Sequence, residues 1–198
     1  MNFIDPLDNE ELRDIAIGFM ILTFALTILF YGGVFVNGIA LIYALPLAAV
    51  VTMTAFLGHE LMHRHFAREF GGFSRFKLWP MGALLALITS LFGFLFAAPG
   101  AVYFTGVYEE EKVGKIALAG PAWNLAVGVF FYGIFVFSGN SPIAIFAGAV
   151  GRLNLWFGLF NLIPVWVLDG AKVWKWSRET FVVVFAIAIL ANFLVGAF

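Results

Sequence analysis

The sequence predicts an all-α polytopic membrane protein with about five transmembrane helices, plus a re-entrant or sixth hydrophobic segment at about 78–108 that leaves room for short β strands. Three observations predict it. Hydrophobic residues make up 63% of the 198-residue chain and charged residues only 12%, whereas a soluble domain carries roughly 25% charge. Several apolar stretches approach or exceed the roughly 20 residues that a spanning helix requires. The Lys and Arg residues outside those stretches can all be placed on one face of a bilayer. One membrane-embedded domain is expected over 1–198, with its core at about 39–170. A net charge of −1 says nothing about partners, and no basic arm or aromatic-basic interleaving suggests nucleic acid. With no cysteine, disulfides, thiolate metal sites and thiol catalysis are excluded. The acidic first residues do not fit a cleavable signal peptide.

Residues 1–13 are polar, and Asp8 followed by Glu11 resembles a capping box that opens the first helix. The first span is read at 15–31 and ends at the turn signals Gly32-Gly33 and Asn37-Gly38. The second runs from about 39 to the sequence His59-Glu60-Leu61-Met62-His63, with Pro46 inside it as a potential kink. A basic connection covers 65–77. The stretch 78–108 is apolar but broken by Pro80, Gly82, Gly93 and Pro99-Gly100, and the run Glu109-Glu110-Glu111-Lys112 closes it. Further spans are read at 116–137, 143–163 and 181–198, with a turn at 138–142.

Counting charges decides between two paths for the broken stretch. If 78–98 crosses once, the basic residues divide evenly between the two faces. If the chain dips in and returns, every Lys and Arg except Arg152 falls on one face, and the turns at 31–38 and 138–142 hold none. The positive-inside rule prefers the return and makes that face cytoplasmic. Re-entrant backbone is allowed where protein or a wet cavity covers it. The same path brings His59, His63 and Asp169 towards one membrane face.

Residues four apart share a helix face, so His59 and His63 can bind one metal ion with Glu60 beside them. This HExxH arrangement holds zinc with its imidazoles and uses the Glu as general base to a water. A catalytic zinc takes a third protein ligand. His65 lies about 200° round the helix from His63 and points elsewhere. Of the downstream carboxylates Glu69, Glu109, Glu110, Glu111, Asp169 and Glu179, Asp169 stands out. It follows an apolar helix interrupted by Pro164, and a carboxylate at membrane depth requires a partner such as a dication. The cluster Gly120-Pro121-Ala122-Trp123-Asn124 permits close helix approach and offers the Asn124 amide to a peptide carbonyl or its oxyanion.

Taken together, His59-Glu60-Leu61-Met62-His63, Gly120-Pro121-Ala122-Trp123-Asn124 and Asn161-Leu162-Ile163-Pro164-Val165-Trp166-Val167-Leu168-Asp169-Gly170 resemble the three signatures of the site-2 protease family. These are intramembrane zinc metalloproteases. The resemblance implies one Zn2+ per chain held by His59, His63 and Asp169, with Glu60 catalytic. It further implies that Asn124, Asn161 and Pro164 hold an unwound substrate strand, and that a re-entrant β element follows the HExxH helix. The expected partners are a transmembrane protein substrate and the lipid bilayer. The expected place is the cell membrane, multi-pass, with the active site towards the cytoplasmic face.

Two other readings stay open. One is a membrane zinc protease of a different class with a downstream Glu as third ligand. The other is an inactive metal-binding membrane scaffold. Serine and aspartyl intramembrane proteases fit poorly, because no Gly-x-Ser-x-Gly elbow is present and Asp169 is the only Asp beyond residue 14. Plainer roles also stand beside the functional ones. Asn124 and Asn161 suit interhelical hydrogen bonds, Pro164 suits a helix end, and Asp169 suits a partner for Lys172. Arg152, inside a span, needs a partner or water, and Asn154, Gly158 and Asn161 form a polar-small stripe at helical spacing.

Overall fold

The computed structural model describes residues 7–30, 38–95, 98–165 and 167–196. The protein is a predominantly helical membrane protein. In chain order it comprises α1 (Asn9–Phe30), α2 (Gly38–Val51), a π-helical segment (Thr52–Leu57), α3 (Gly58–Glu69), β1 (Phe73–Leu78), α4 (Pro80–Leu91), β2 (Gly100–Thr105), α5 (Glu110–Phe137), α6 (Pro142–Asn161), α7 (Asp169–Trp176) and α8 (Arg178–Leu194). Among the described residues, four helical stretches are long and apolar enough to cross a membrane: Asn9–Phe30, Ala44–Glu69, Glu110–Phe137 and Pro142–Asn161. The expected fifth span corresponds to α8. Its 17 residues rise about 25 Å, short of a hydrocarbon core of about 30 Å. By internal contacts the chain forms two compact units, Met1–Ala49 with Arg75–Tyr103, and Val50–Ser74 with Phe104–Phe198.

In the first unit, the Glu11 N–H donates to Asp8 Oδ1 at 2.8 Å and caps α1. The Glu11 carboxylate is nearly inaccessible and accepts the Phe76 N–H at 3.0 Å. Asp14 accepts the Leu78 N–H at 3.1 Å. Amides two residues apart point to the same strand edge, so two carboxylates from α1 cover one edge of β1. Arg75 ties the same corner to Asp8 at 3.1 Å and Glu10 at 2.8 Å.

The other edge of β1 pairs with β2, and the Trp79 N–H donates to Pro99 at 2.7 Å. The chain that leaves at 79 therefore returns at 99, so 78–98 is not a single crossing. Between the strands, α4 starts with Pro80 at its first position, where the missing N–H costs nothing. Its 12 residues rise about 18 Å, too short to span. The stretch 78–108 is thus mainly one short helix and one strand, and β1 begins at Phe73, inside the stretch expected to be a connection.

The second unit holds α3, α5, α6, α7 and α8. α5 and α6 form a hairpin in close contact. A Cβ at Gly151 would lie 2.8 Å from the Tyr132 amide nitrogen, so only glycine permits this approach. Ser141 caps α6 by accepting the Ala144 N–H at 3.1 Å. Arg152 finds its partner here: its Nε donates to the Val195 carbonyl at 3.0 Å, and its guanidinium sits 5.4 Å from the Phe135 ring centre. It closes an orphan carbonyl at the end of α8. Large apolar side chains such as Phe130, Phe137, Ile145 and Phe193 are exposed, as a lipid-facing surface requires.

Candidate metal centre

The site forms where α3, α5 and the start of α7 meet within the second unit. Its groundwork is the π-helical segment immediately before the first histidine. The Gly58 N–H reaches back to Met53, the i→i+5 pairing of a π turn. Returning from that pairing to i→i+4 leaves a carbonyl short of a backbone donor, and two α5 side chains donate here. Trp123 Nε1 donates to the Thr54 carbonyl at 2.9 Å and Asn124 Nδ2 to the Ala55 carbonyl at 3.0 Å. Gly58 allows the indole to lie on the helix, since a Cβ there would come within 2.2 Å of Trp123 Nε1. The sequence thus docks α5 onto the turn that carries His59.

Pro121, inside α5, has no N–H to give the Ala117 carbonyl four residues before it. In that region the Ile116 carbonyl accepts a hydrogen bond from His63 Nδ1 at 2.7 Å. His59 Nδ1 lies 2.5 Å from Asn124 Oδ1. Both Nδ1 atoms therefore face acceptors, each ring carries its proton there, and both Nε2 lone pairs are bare.

These lone pairs converge. The two Nε2 atoms are 2.9 Å apart, and Asp169 Oδ2 is 3.1 Å from that of His59 and 3.0 Å from that of His63. All three residues are buried. Three acceptors in contact repel one another unless a cation lies among them. A tetrahedral zinc with ligands at about 2.0–2.1 Å spaces them about 3.3 Å apart, close to the separations seen. Gly120 leaves the necessary room: a Cβ at this position would lie 2.6 Å from both Nε2 atoms. The residues fit zinc by number, chemistry and space.

The carboxylate arrives differently. After α6 ends, a turn brings Asp169 to the first position of α7. Gly170 is obligatory, because a Cβ there would meet the Leu162 carbonyl oxygen at 2.1 Å. Lys172 Nζ donates to Asp169 Oδ1 at 3.1 Å, leaving Oδ2 to the centre. Asp169 thus has both the ligand geometry and the Lys172 contact that the sequence set as alternatives.

The structure places the other expected residues as follows. Glu60, on α3 beside His59, is buried. Asn124 is wholly buried, with Oδ1 at His59 and Nδ2 donating to Ala55 and, at 3.3 Å, to Asn154. Its oxygen faces His59, and a second asparagine and a helix carbonyl take its amide hydrogens. Asn161 Nδ2 donates to Phe157 in its own helix at 3.1 Å, and Pro164 is exposed in the α6–α7 turn; neither joins the hydrogen bonds of the triad. His65 lies away from the centre and meets Glu69 at 3.6 Å. Glu109 and Glu110 pair with Lys112 and Lys175 at 2.7 and 2.8 Å, and Glu111 with Lys115. Residues not singled out for the site also lie around it: Thr54, the Ile116 carbonyl, and Asn154, which the sequence shows only as part of a polar-small stripe. A polar side chain inside an apolar span is the only sequence signal that Thr54 and Asn154 carry, and the Ile116 carbonyl carries none.

Over 172 residues the chain is 37% identical to MJ0611 of Methanocaldococcus jannaschii, a protein named as a candidate zinc metalloprotease, covering 85% of each chain. The chain belongs to this zinc metalloprotease family. It is also 31% identical over 139 residues to Rip3 of Mycobacterium tuberculosis, covering 66% of this chain and 31% of that protein. YwhC of Bacillus subtilis is 28% identical over 151 residues, covering 65% of this chain and 68% of that protein. Both carry the same form of name. No family model and no solved structure matches the chain. Family membership agrees with the donor set: His59, His63 and Asp169 are the residues that could hold zinc.

Proposed function

We propose that the protein is an intramembrane zinc endopeptidase of the site-2 protease type, which cleaves transmembrane segments of membrane proteins in regulated intramembrane proteolysis. One observation carries this reading: a buried His-His-Asp donor set has both its histidines on a helix apolar and long enough to cross a bilayer. Bound there, zinc would lower the pKa of a water and polarise the scissile carbonyl. Glu60 takes the water's proton and passes it to the leaving amine. His59 and His63, protonated on Nδ1, keep their Nε2 lone pairs directed inward, and Asp169 supplies the negative charge. A helical substrate shields its own peptide bonds, so it unwinds locally and binds as an extended strand. The one-sided Lys and Arg residues support a multi-pass topology with the site towards the cytoplasm.

The test is cleavage of a transmembrane peptide by the full chain in liposomes. Glu60→Gln is expected to bind zinc and not cleave; full activity in that variant would overturn the mechanism. The rival with a downstream Glu ligand wins if Asp169→Ala keeps stoichiometric zinc while a change at Glu109–Glu111 or Glu179 loses it.

A further inference from the structure

The proton on His59 Nδ1 is held in place by a chain of hydrogen bonds whose direction is fixed far from the metal. A carbonyl oxygen can only accept. Asn154 Nδ2 lies 2.9 Å from the Val150 carbonyl, so this amide must point its nitrogen there. The same nitrogen donates to Thr54 Oγ1 at 2.9 Å, whose own hydrogen goes to the Val50 carbonyl at 2.8 Å. Asn154 Oδ1 is thereby turned towards α5, where it accepts from Asn124 Nδ2 at 3.3 Å. Asn124 Nδ2 also meets the Ala55 carbonyl beside the π turn, at 3.0 Å. With its nitrogen held twice, Asn124 presents Oδ1 to His59 Nδ1. Asn124 and Asn154 are both completely inaccessible, so no water substitutes for a missing member.

We propose that Asn124 is a positioning residue that fixes the tautomer of His59, and that Asn154 and the carbonyls of Ala55, Val150 and Val50 fix Asn124. Were the Asn124 amide reversed, its N–H would face Nδ1. The ring proton would then move to Nε2, where it blocks the metal lone pair. α6 contributes to the metal centre without touching it, through Asn154. This inference needs zinc binding by the triad and does not depend on where, or whether, the protein cleaves.

The experiment uses the full chain in detergent, labelled with 15N in its histidine rings, of which there are only three. It measures the His59 tautomer in the zinc-free state and zinc affinity by chelator competition. Asn124→Asp keeps an acceptor towards His59, so it should retain the Nδ1–H tautomer and bind zinc within about threefold of wild type, as a carboxylate–histidine pair does. Asn124→Leu keeps the shape but no acceptor, so it should mix the tautomers and lose about 10–100-fold in zinc affinity. Asn154→Leu, which touches no ligand, should shift the tautomer in the same direction with a smaller loss. A packing role predicts the reverse order, with Leu tolerated and the buried Asp disruptive; that order, or unchanged tautomer and affinity in both Leu variants, overturns the proposal. If wild-type protein binds no zinc, the reading of the triad itself fails instead.

Discussion

The histidines and the aspartate converge on one centre, yet their supports differ in kind. His59 and His63 stand on α3, and their outer nitrogens bond to Asn124 and the Ile116 carbonyl deep in the helix bundle. Asp169 opens the eight-residue α7, and its outer oxygen meets Lys172, whose side chain is 42% exposed. A buried neutral acceptor has a fixed direction and is not screened. A half-exposed ammonium exchanges with water and weakens with salt. The histidine side is therefore preorganised, and the carboxylate side is the adjustable half of the site.

Substitutions can test that contrast. The largest effect is expected from Gly120→Ala, whose Cβ would occupy the space beside both Nε2 atoms. Stoichiometric zinc should be lost while helix content by circular dichroism persists; full zinc occupancy would show that the histidines can give way. Asp169→Ala and His59→Ala should each lose stoichiometric zinc as well, measured by metal analysis after gel filtration. Glu60→Gln should retain zinc and cut peptide cleavage about 10²–10⁴-fold, which separates proton transfer from metal holding. Lys172→Met should have the smallest effect. An exposed ion pair contributes about 0–1 kcal/mol, so zinc affinity should fall no more than about fivefold, and high salt should erase the difference. A loss as large as that of Asn124→Leu would abolish the distinction between the two sides. Acidification should release zinc, because protons compete for Nε2; the check is zinc retention after dialysis over a descending pH series.

Much of this was legible in the chain. The His59–His63 spacing is a property of helix geometry alone, and the one-sided basic residues were enough to predict that 78–98 returns rather than crosses. β1 was less visible. Phe76 and Leu78 alternate with Arg75 and Lys77 as a strand should, but the charges read more strongly as a connection. The π-helical segment left no trace, since Thr52–Leu57 is an ordinary apolar helical sequence and only the backbone pairing distinguishes it. Asn124 stands out in the sequence as a polar group inside an apolar span, but its orientation follows from Ala55 and Asn154 on two other parts of the chain. No reading of local sequence supplies that. Arg152 was unreadable for the same reason: its partner is a backbone carbonyl 43 residues away.

The π-helical turn has one more consequence. A helix is a screw, and each residue advances its phase by about 100°. A turn paired i→i+5 holds about one residue more than its neighbours, so it rotates everything beyond it as a rigid piece. Removing one residue from Thr52–Leu57 and letting the turn close as ordinary α-helix would leave His59, Glu60 and His63 in their relative places. The whole group would nevertheless swing about a quarter-turn relative to Val50 and Val51. The motif would survive as letters and lose its aim.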